Sequence, residues 1–182
     1  IGAATGFSPV GANRREVVRG EEGKPRVVLG RNPAGPTDRE VQILKVVRAA
    51  DDRTAAVLFG YATHSTSLGP GNLLVSGDVH GLAEGFVERC LGDGVVAPAF
   101  AGASGDIDPW FRVRPGFETA DGWIPEPVLL GTMLGEEVVL AARGLPAAGD
   151  GGPIRTALAT VELPAKPGGA PEPGAAPATR PL

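Results

Sequence analysis

A chain of 182 residues with 42% hydrophobic content can bury one core, and its 28 glycines, 18 prolines and scarce aromatics describe a loop-rich domain. The net charge of −4, with acidic and basic residues interspersed, leaves no basic stripe for a phosphate backbone, so nucleic acid is excluded as an expected partner. No run reaches transmembrane length, and a lone cysteine, Cys90, excludes an internal disulfide.

The chain opens IGAATGFSPV, without an initiator methionine or a charged-then-apolar leader, so we expect either a removed leader or a piece of something longer. Residues 1–37 are broken by Gly and Pro and read as loops with short strands at Val17-Val18 and Val27-Val28-Leu29. Glu40 to Val47 alternates as a half-buried strand, AADDR turns the chain, and Thr54 to Ala62 forms a second strand. Together they predict a β-hairpin with Asp51-Asp52 at its tip.

From Ser76 to Cys90 the spacing of Val79, Leu82, Phe86, Val87 and Cys90 predicts one face of a helix, with Ser76 or Asp78 available as cap and Gly92 to Gly94 as stop. Val95 to Ala101 is a short buried-strand run that ends in GASGDIDP. A second helix is expected from Pro127 to Arg143, with Gly144 after it, and a last strand from Ile154 to Leu163. Residues 165–182 are Ala, Pro, Gly and little else, a composition expected to stay disordered or to depend on absent partners. The expected fold is α/β, a mixed sheet with flanking helices in the order β-β-α-β-α-β, forming one domain over residues 1–164.

Chemistry concentrates where the apolar runs stop. His64 follows the second strand and precedes three hydroxyls, Ser65, Thr66 and Ser67, a placement that suits a metal ligand or general base and equally a structural histidine. His80, at the start of the first helix, reads as solvent-facing or cap-adjacent. Asp106 and Asp108 in GDIDP share a side if that segment is extended, where they can bind a cation or divide acid and base duties; an Asx-type turn is the competing reading. Ser104 does not sit in G-x-S-x-G, because Asp106 occupies the last position, and no glycine spacing forms a phosphate cradle.

Two blocks, taken together and in this order, carry a resemblance. HSTSLGPGNLLVSGDVHGLAEGFVE resembles the H-[PG]-T-S-M…N-x-L-I-S-G-D-N-K-G-Y-A block of the neutral/alkaline, non-lysosomal ceramidases, and VVAPAFAGASGDIDP resembles their block ending G-D-V-S-P. VGANRRE, NPAGPTDREVQILKV and LLGTMLGEEVVLAA are similar to the family's flanking segments, so the resemblance runs over about residues 9–145. It implies a zinc-dependent amidohydrolase that cleaves the N-acyl amide of an N-acylsphingosine to a fatty acid and sphingosine.

The resemblance also implies roles. His64 becomes a zinc ligand, while an upstream histidine and a downstream glutamate and tyrosine would complete the set from outside this chain; Tyr61 matches neither. Arg14 would meet the substrate or an anionic intermediate, with Asn13 and Ser67 as further substrate-binding residues. Asp108 stands where the family has a serine assigned to catalysis and cannot be an alcohol nucleophile. It would therefore serve as a base or position water, with Asp106 beside it, or the chain would be a hydrolase of different specificity or a module that binds lipid or glycoconjugate without cleaving it. His80 for a lysine and Leu82 for a tyrosine also depart from the pattern. The expected partners are a ceramide-like lipid, a membrane surface and the remainder of the same catalytic domain, in a secreted, periplasmic or cell-surface setting.

Overall fold

The computed structural model describes residues 1–92, 94–111, 125–149, 152–153 and 155–162. The chain divides into two units, Ile1–Asp150 and Gly151–Leu182. In the first, a four-stranded mixed sheet carries two helices on one face, and a three-stranded antiparallel sheet adjoins it.

The hairpin forms as its alternation dictates. β4 (Glu40–Val47) and β5 (Thr54–Tyr61) pair antiparallel, with Val41 opposite Tyr61, Ile43 opposite Phe59 and Lys45 opposite Val57. Residues two apart share a face, so Val41, Ile43, Val57, Phe59 and Tyr61 all turn inward and are buried. Each such side chain contributes on the order of 1.5–3 kcal/mol of transfer free energy. At the tip Asp52 takes φ 56°, and the Asp51 carboxylate accepts from the backbone N–H of Arg53 at 3.2 Å.

The helices cover that face. α1 (Asp78–Leu91) buries Val79, Ala83 and Val87, and α2 (Pro125–Arg143) buries Leu130, Leu134, Val138 and Ala142. They pack on each other through Gly131 and Gly135: a Cβ at Gly131 would stand 2.5 Å from Leu82 Cβ, and one at Gly135 2.8 Å from Phe86 Cδ1. Glycine there is a packing requirement, which is why both are tolerated inside a helix.

β6 (Ala99–Ala101) lies parallel to β5 at the edge of this sheet. Two helix carboxylates fasten its approach: Glu88 accepts from Ala97 N at 3.1 Å and Glu84 from Ala99 N at 2.8 Å. The sheet's other face bears Leu44, Leu58 and Phe100, the last 56% exposed, so one apolar face lies open.

The first 37 residues depart furthest from expectation. They hold three strands, β1 (Gly2–Phe7), β2 (Gly11–Arg19) and β3 (Pro25–Asn32); the short strands expected at Val17-Val18 and Val27-Val28-Leu29 fall within β2 and β3, which run longer, and β1 was not expected. β1 pairs with β4; its Gly and Ala residues give no period because they fit under α2, where Glu137 Oε1 accepts the Phe7 N–H at 2.9 Å. β3, β2 and β7 (Ile107–Pro109) form the second sheet. Tyr61 joins the two sheets: its hydroxyl accepts from Gly11 N at 2.8 Å and donates to Ser8 O at 2.7 Å, and burial pushes its pKa up.

α2 begins at Pro125, two residues before the expected start. In the second unit, the expected strand Ile154–Leu163 is corrected over residues 155–162, which form no regular element and leave Leu158 86% exposed. Alternation alone cannot make a strand without a neighbour to accept its hydrogen bonds. The expectation for residues 165–182 lies outside the described residues.

Candidate functional site

The strands of both sheets run out at one place. After Tyr61 the chain leaves β5, and the backbone N–H of His64 donates to Ile107 O of β7 at 3.0 Å, while Gly102 N donates to Tyr61 O at 3.0 Å. These bonds set His64 beside the strand that carries Asp108. The His64 ring is half-buried, and its Nε2 is buried without a hydrogen-bond partner among the described residues. A buried polar atom without a partner costs on the order of 1–3 kcal/mol. Among the described residues Ser8 Oγ, Arg14 Nε and Glu126 Oε2 share this state, and of these atoms the imidazole nitrogen is the one whose chemistry suits an ion such as zinc.

Asp108 is the opposite case. It is fully buried between Arg14, whose Nη1 stands 3.2 Å from Oδ1, and Arg31, whose Nη1 stands 3.7 Å from Oδ2. Arg31 also donates to the carbonyls of Trp110 (3.0 Å), Gly30 (2.6 Å) and Pro109. A carboxylate enclosed by two guanidiniums is held in place, which makes Asp108 an anchor for Arg14 and Arg31. Arg14 keeps a second feature: its Nε is buried without a hydrogen-bond partner among the described residues.

Arg14 occupies a β-bulge, since the β2–β3 register shifts between Asn13 and Arg15. Asn13 makes that bulge. Its side-chain oxygen accepts from Arg15 N at 2.9 Å and its amide donates to Pro36 O at 2.9 Å, while Arg14 N donates to Asp106 O at 2.8 Å. Asn13, expected at the substrate, is thus buried and engaged at both ends of its amide. Asp106 does not share a site with Asp108: it is half exposed and paired with Arg15 Nε at 2.7 Å. It lines an open cleft of about 720 Å³ with Asn13, Arg15, Thr37 and Asp38, a cleft that neither His64 nor Asp108 lines.

The loop after His64 is tied to α1 at two points. Ser67, also expected at the substrate, is instead fully buried and donates to Asp78 Oδ1 at 2.5 Å. Asp78 accepts as well from Leu68 N at 3.0 Å and Val79 N at 2.7 Å, and holds φ 48°, a left-handed conformation that this set of bonds compensates. Ser76 accepts from Asp78 N at 3.0 Å, but the cap position itself is Gly77, with no side-chain cap bond, so neither Ser76 nor Asp78 is the expected cap.

The second tie corrects the reading of His80 as solvent-facing. Its Nδ1 lies 2.6 Å from Ser65 Oγ and its Nε2 3.4 Å from Tyr61 O, and burial lowers its pKa below the usual histidine value. Sequence reasoning also missed Arg31, because nothing local announces that β3 and β7 flank β2. A hydroxyl-rich loop preceding a helix that starts with Asp and His was the available signal for the two ties.

Among the described residues, no three His, Cys, Asp or Glu side chains come together as a metal set. His64 Nε2 fits one zinc ligand, where a catalytic zinc takes about three protein donors. No helix among the described residues is long and apolar enough to cross a membrane.

No family model matches the chain, and no curated protein matches it. Among solved structures, it is similar to neutral ceramidase from Pseudomonas aeruginosa at TM-score 0.55 and 20% identity, over 78% of this chain and 22% of that one. It is likewise similar to a ceramidase complexed with C2, at TM-score 0.52 and 20% identity, over 79% of this chain and 21% of that one. The chain therefore has the fold of part of a ceramidase and spans about a fifth of the length of those structures.

Proposed function

We propose that this chain is part of the catalytic domain of a zinc-dependent hydrolase that cleaves the N-acyl amide of a ceramide-like sphingolipid. The observation that carries this reading is the buried Nε2 of His64, just beyond β5, which has no hydrogen-bond partner among the described residues. His64 supplies one donor, and the remaining donors come from parts of a longer protein. Zinc, when bound, would polarise the amide carbonyl and bring the pKa of water down to about 7.

The chain's own residues prepare the place. The His64 N–H to Ile107 O bond fixes the ring's backbone against β7, and the Ser67–Asp78 clamp fixes the loop that follows it. Arg14, aimed by Asp108 and by the bulge at Asn13, is the cation that meets negative charge developing on the substrate. Asp108 acts by holding Arg14 and Arg31, and Asp106 steadies the loop through Arg15.

Leu73, Leu74 and Val75 are nearly fully exposed on the segment between His64 and α1, and with the open face of the larger sheet they suit apolar partners: a lipid chain and the remainder of the domain. A secreted, periplasmic or cell-surface setting and access from a membrane surface belong to the same reading.

A second reading follows from Asp108, which replaces the family's serine with a buried, doubly paired carboxylate: a ceramidase-like module that binds lipid or glycoconjugate without hydrolysis. Fatty-acid release from a fluorescent ceramide by the complete protein separates the two. Turnover that chelation abolishes and zinc restores is the expected result; lipid binding without turnover in zinc-replete protein favours the second reading.

A further inference from the structure

We propose that Ser65 and His80 form a nucleophile and base pair, a second reactive centre that accepts the acyl group of an ester or amide. Two positions at which this chain departs from the ceramidase pattern of expectation meet here: the hydroxyl following His64 and the histidine in place of a lysine. Ser65 is exposed on the loop, and its Oγ lies 2.6 Å from His80 Nδ1. The other ring nitrogen, Nε2, lies 3.4 Å from Tyr61 O, an atom that can only accept. Nε2 therefore carries the hydrogen, and Nδ1 is left as the acceptor for the serine proton.

The rest of the surroundings hold this arrangement. The His80 backbone N–H points at Ser65 Oγ at 3.4 Å, and Tyr61 O is itself fixed by Gly102 N at 3.0 Å. The parts thus follow the order of nucleophile, base and orienting group. Ser67, two residues on, contrasts with it: that hydroxyl is buried and spent on the Asp78 carboxylate.

In the reaction, Ser65 Oγ bonds to the acyl carbon while its proton passes to His80 Nδ1. The same proton then goes to the departing amine or alcohol as the C–N or C–O bond breaks. Water, deprotonated by His80 in its turn, releases the acid and restores the Ser65 hydroxyl. The Nε2–H bond to Tyr61 O persists throughout and spreads the charge of the imidazolium. The proposal does not depend on zinc at His64.

A fluorophosphonate probe tests it on the complete protein. Attack by Ser65 forms a P–O bond, breaks the P–F bond and releases fluoride, and peptide mass spectrometry locates the adduct. We expect a single adduct on Ser65 that is absent in Ser65→Ala and forms at least about 100-fold more slowly in His80→Gln, the usual yield of a positioned base. No adduct on Ser65 in wild-type protein with a cooperative unfolding transition overturns the proposal without needing any variant. An adduct that forms equally fast in folded His80→Gln also overturns it. Zinc content, measured on the same samples, reports separately on His64, so either reading can fail alone.

Discussion

Two buried polar centres lie on either side of the hydrogen bond from His64 N to Ile107 O, and they are built in opposite ways. On the β2–β7 side, Asp108 is fully enclosed and shared by Arg14 and Arg31. On the other side, beyond the end of β5, His64 Nε2 is buried with no partner among the described residues. A satisfied buried charge is architecture, because removing either partner leaves the other charge stranded. An unsatisfied buried nitrogen adds nothing to the fold and makes sense as a place for something else.

The contrast breaks most sharply at Asp108. Replacing it by Ala takes the buried carboxylate away from the guanidiniums of Arg14 and Arg31, which are about one-quarter and one-fifth exposed, and we expect a loss of about 3 kcal/mol, the lower end for a broken buried ion pair. Asp108→Ser should lose nearly as much, so restoring the serine that the ceramidase resemblance places there would not restore a site. Denaturant unfolding checks both; a loss under about 0.5 kcal/mol would deny the anchor.

Next comes the clamp on the other side. Asp78→Ala leaves the buried Ser67 hydroxyl and the Leu68 amide without acceptors, which should cost about 2–3 kcal/mol in the same assay. Gly131→Ala sharpens the comparison from outside both centres. Its methyl would press on Leu82 Cβ, so a cost of about 1–3 kcal/mol is expected with no change at either centre, and a gain in stability would show that the helices can part.

The smallest effect is on pH dependence. His80 is surrounded by its burial, the Tyr61 carbonyl and the carboxylates of Glu84 and Asp78, and burial dominates, lowering its pKa. The folded state therefore binds the proton less readily than the unfolded chain, so stability rises with pH. The contribution is complete above the unfolded value near 6.5 and is lost as pH falls through the lower folded value. His80→Gln should flatten unfolding midpoints between about pH 7 and 5; an unchanged slope would put the dependence elsewhere.

How much of this was legible in the chain follows from how local each cause is. The β4–β5 hairpin reads directly, since Val41, Ile43, Val57, Phe59 and Tyr61 alternate and need only each other. α1 and α2 read from their periods, apart from Ala83, Gly131 and Gly135, whose small size is explained only by the neighbouring helix. β1 was illegible, and of β2 only Val17-Val18 could be read, because their glycines and alanines answer to Glu137 and Tyr61, about 130 and 50 residues away. At the site, His64 was visible as a polar residue at a strand end, and Arg14 through the ceramidase-like segment. The burial of Asp108 was not: it depends on Arg31, whose strand lies on the far side of β2 from β7 in the sheet order.

We propose that His64 holds a metal and that Asp108 holds the fold. Elemental analysis of the complete protein and its His64→Ala variant, with unfolding midpoints measured on both after chelation, tests it most directly. We predict about one zinc per chain in the wild type, none in the variant, and midpoints after chelation that agree, because the ring gives its Nε2 to no protein partner among the described residues. Zinc retained at full stoichiometry in folded His64→Ala, or a wild type that binds none, would contradict it.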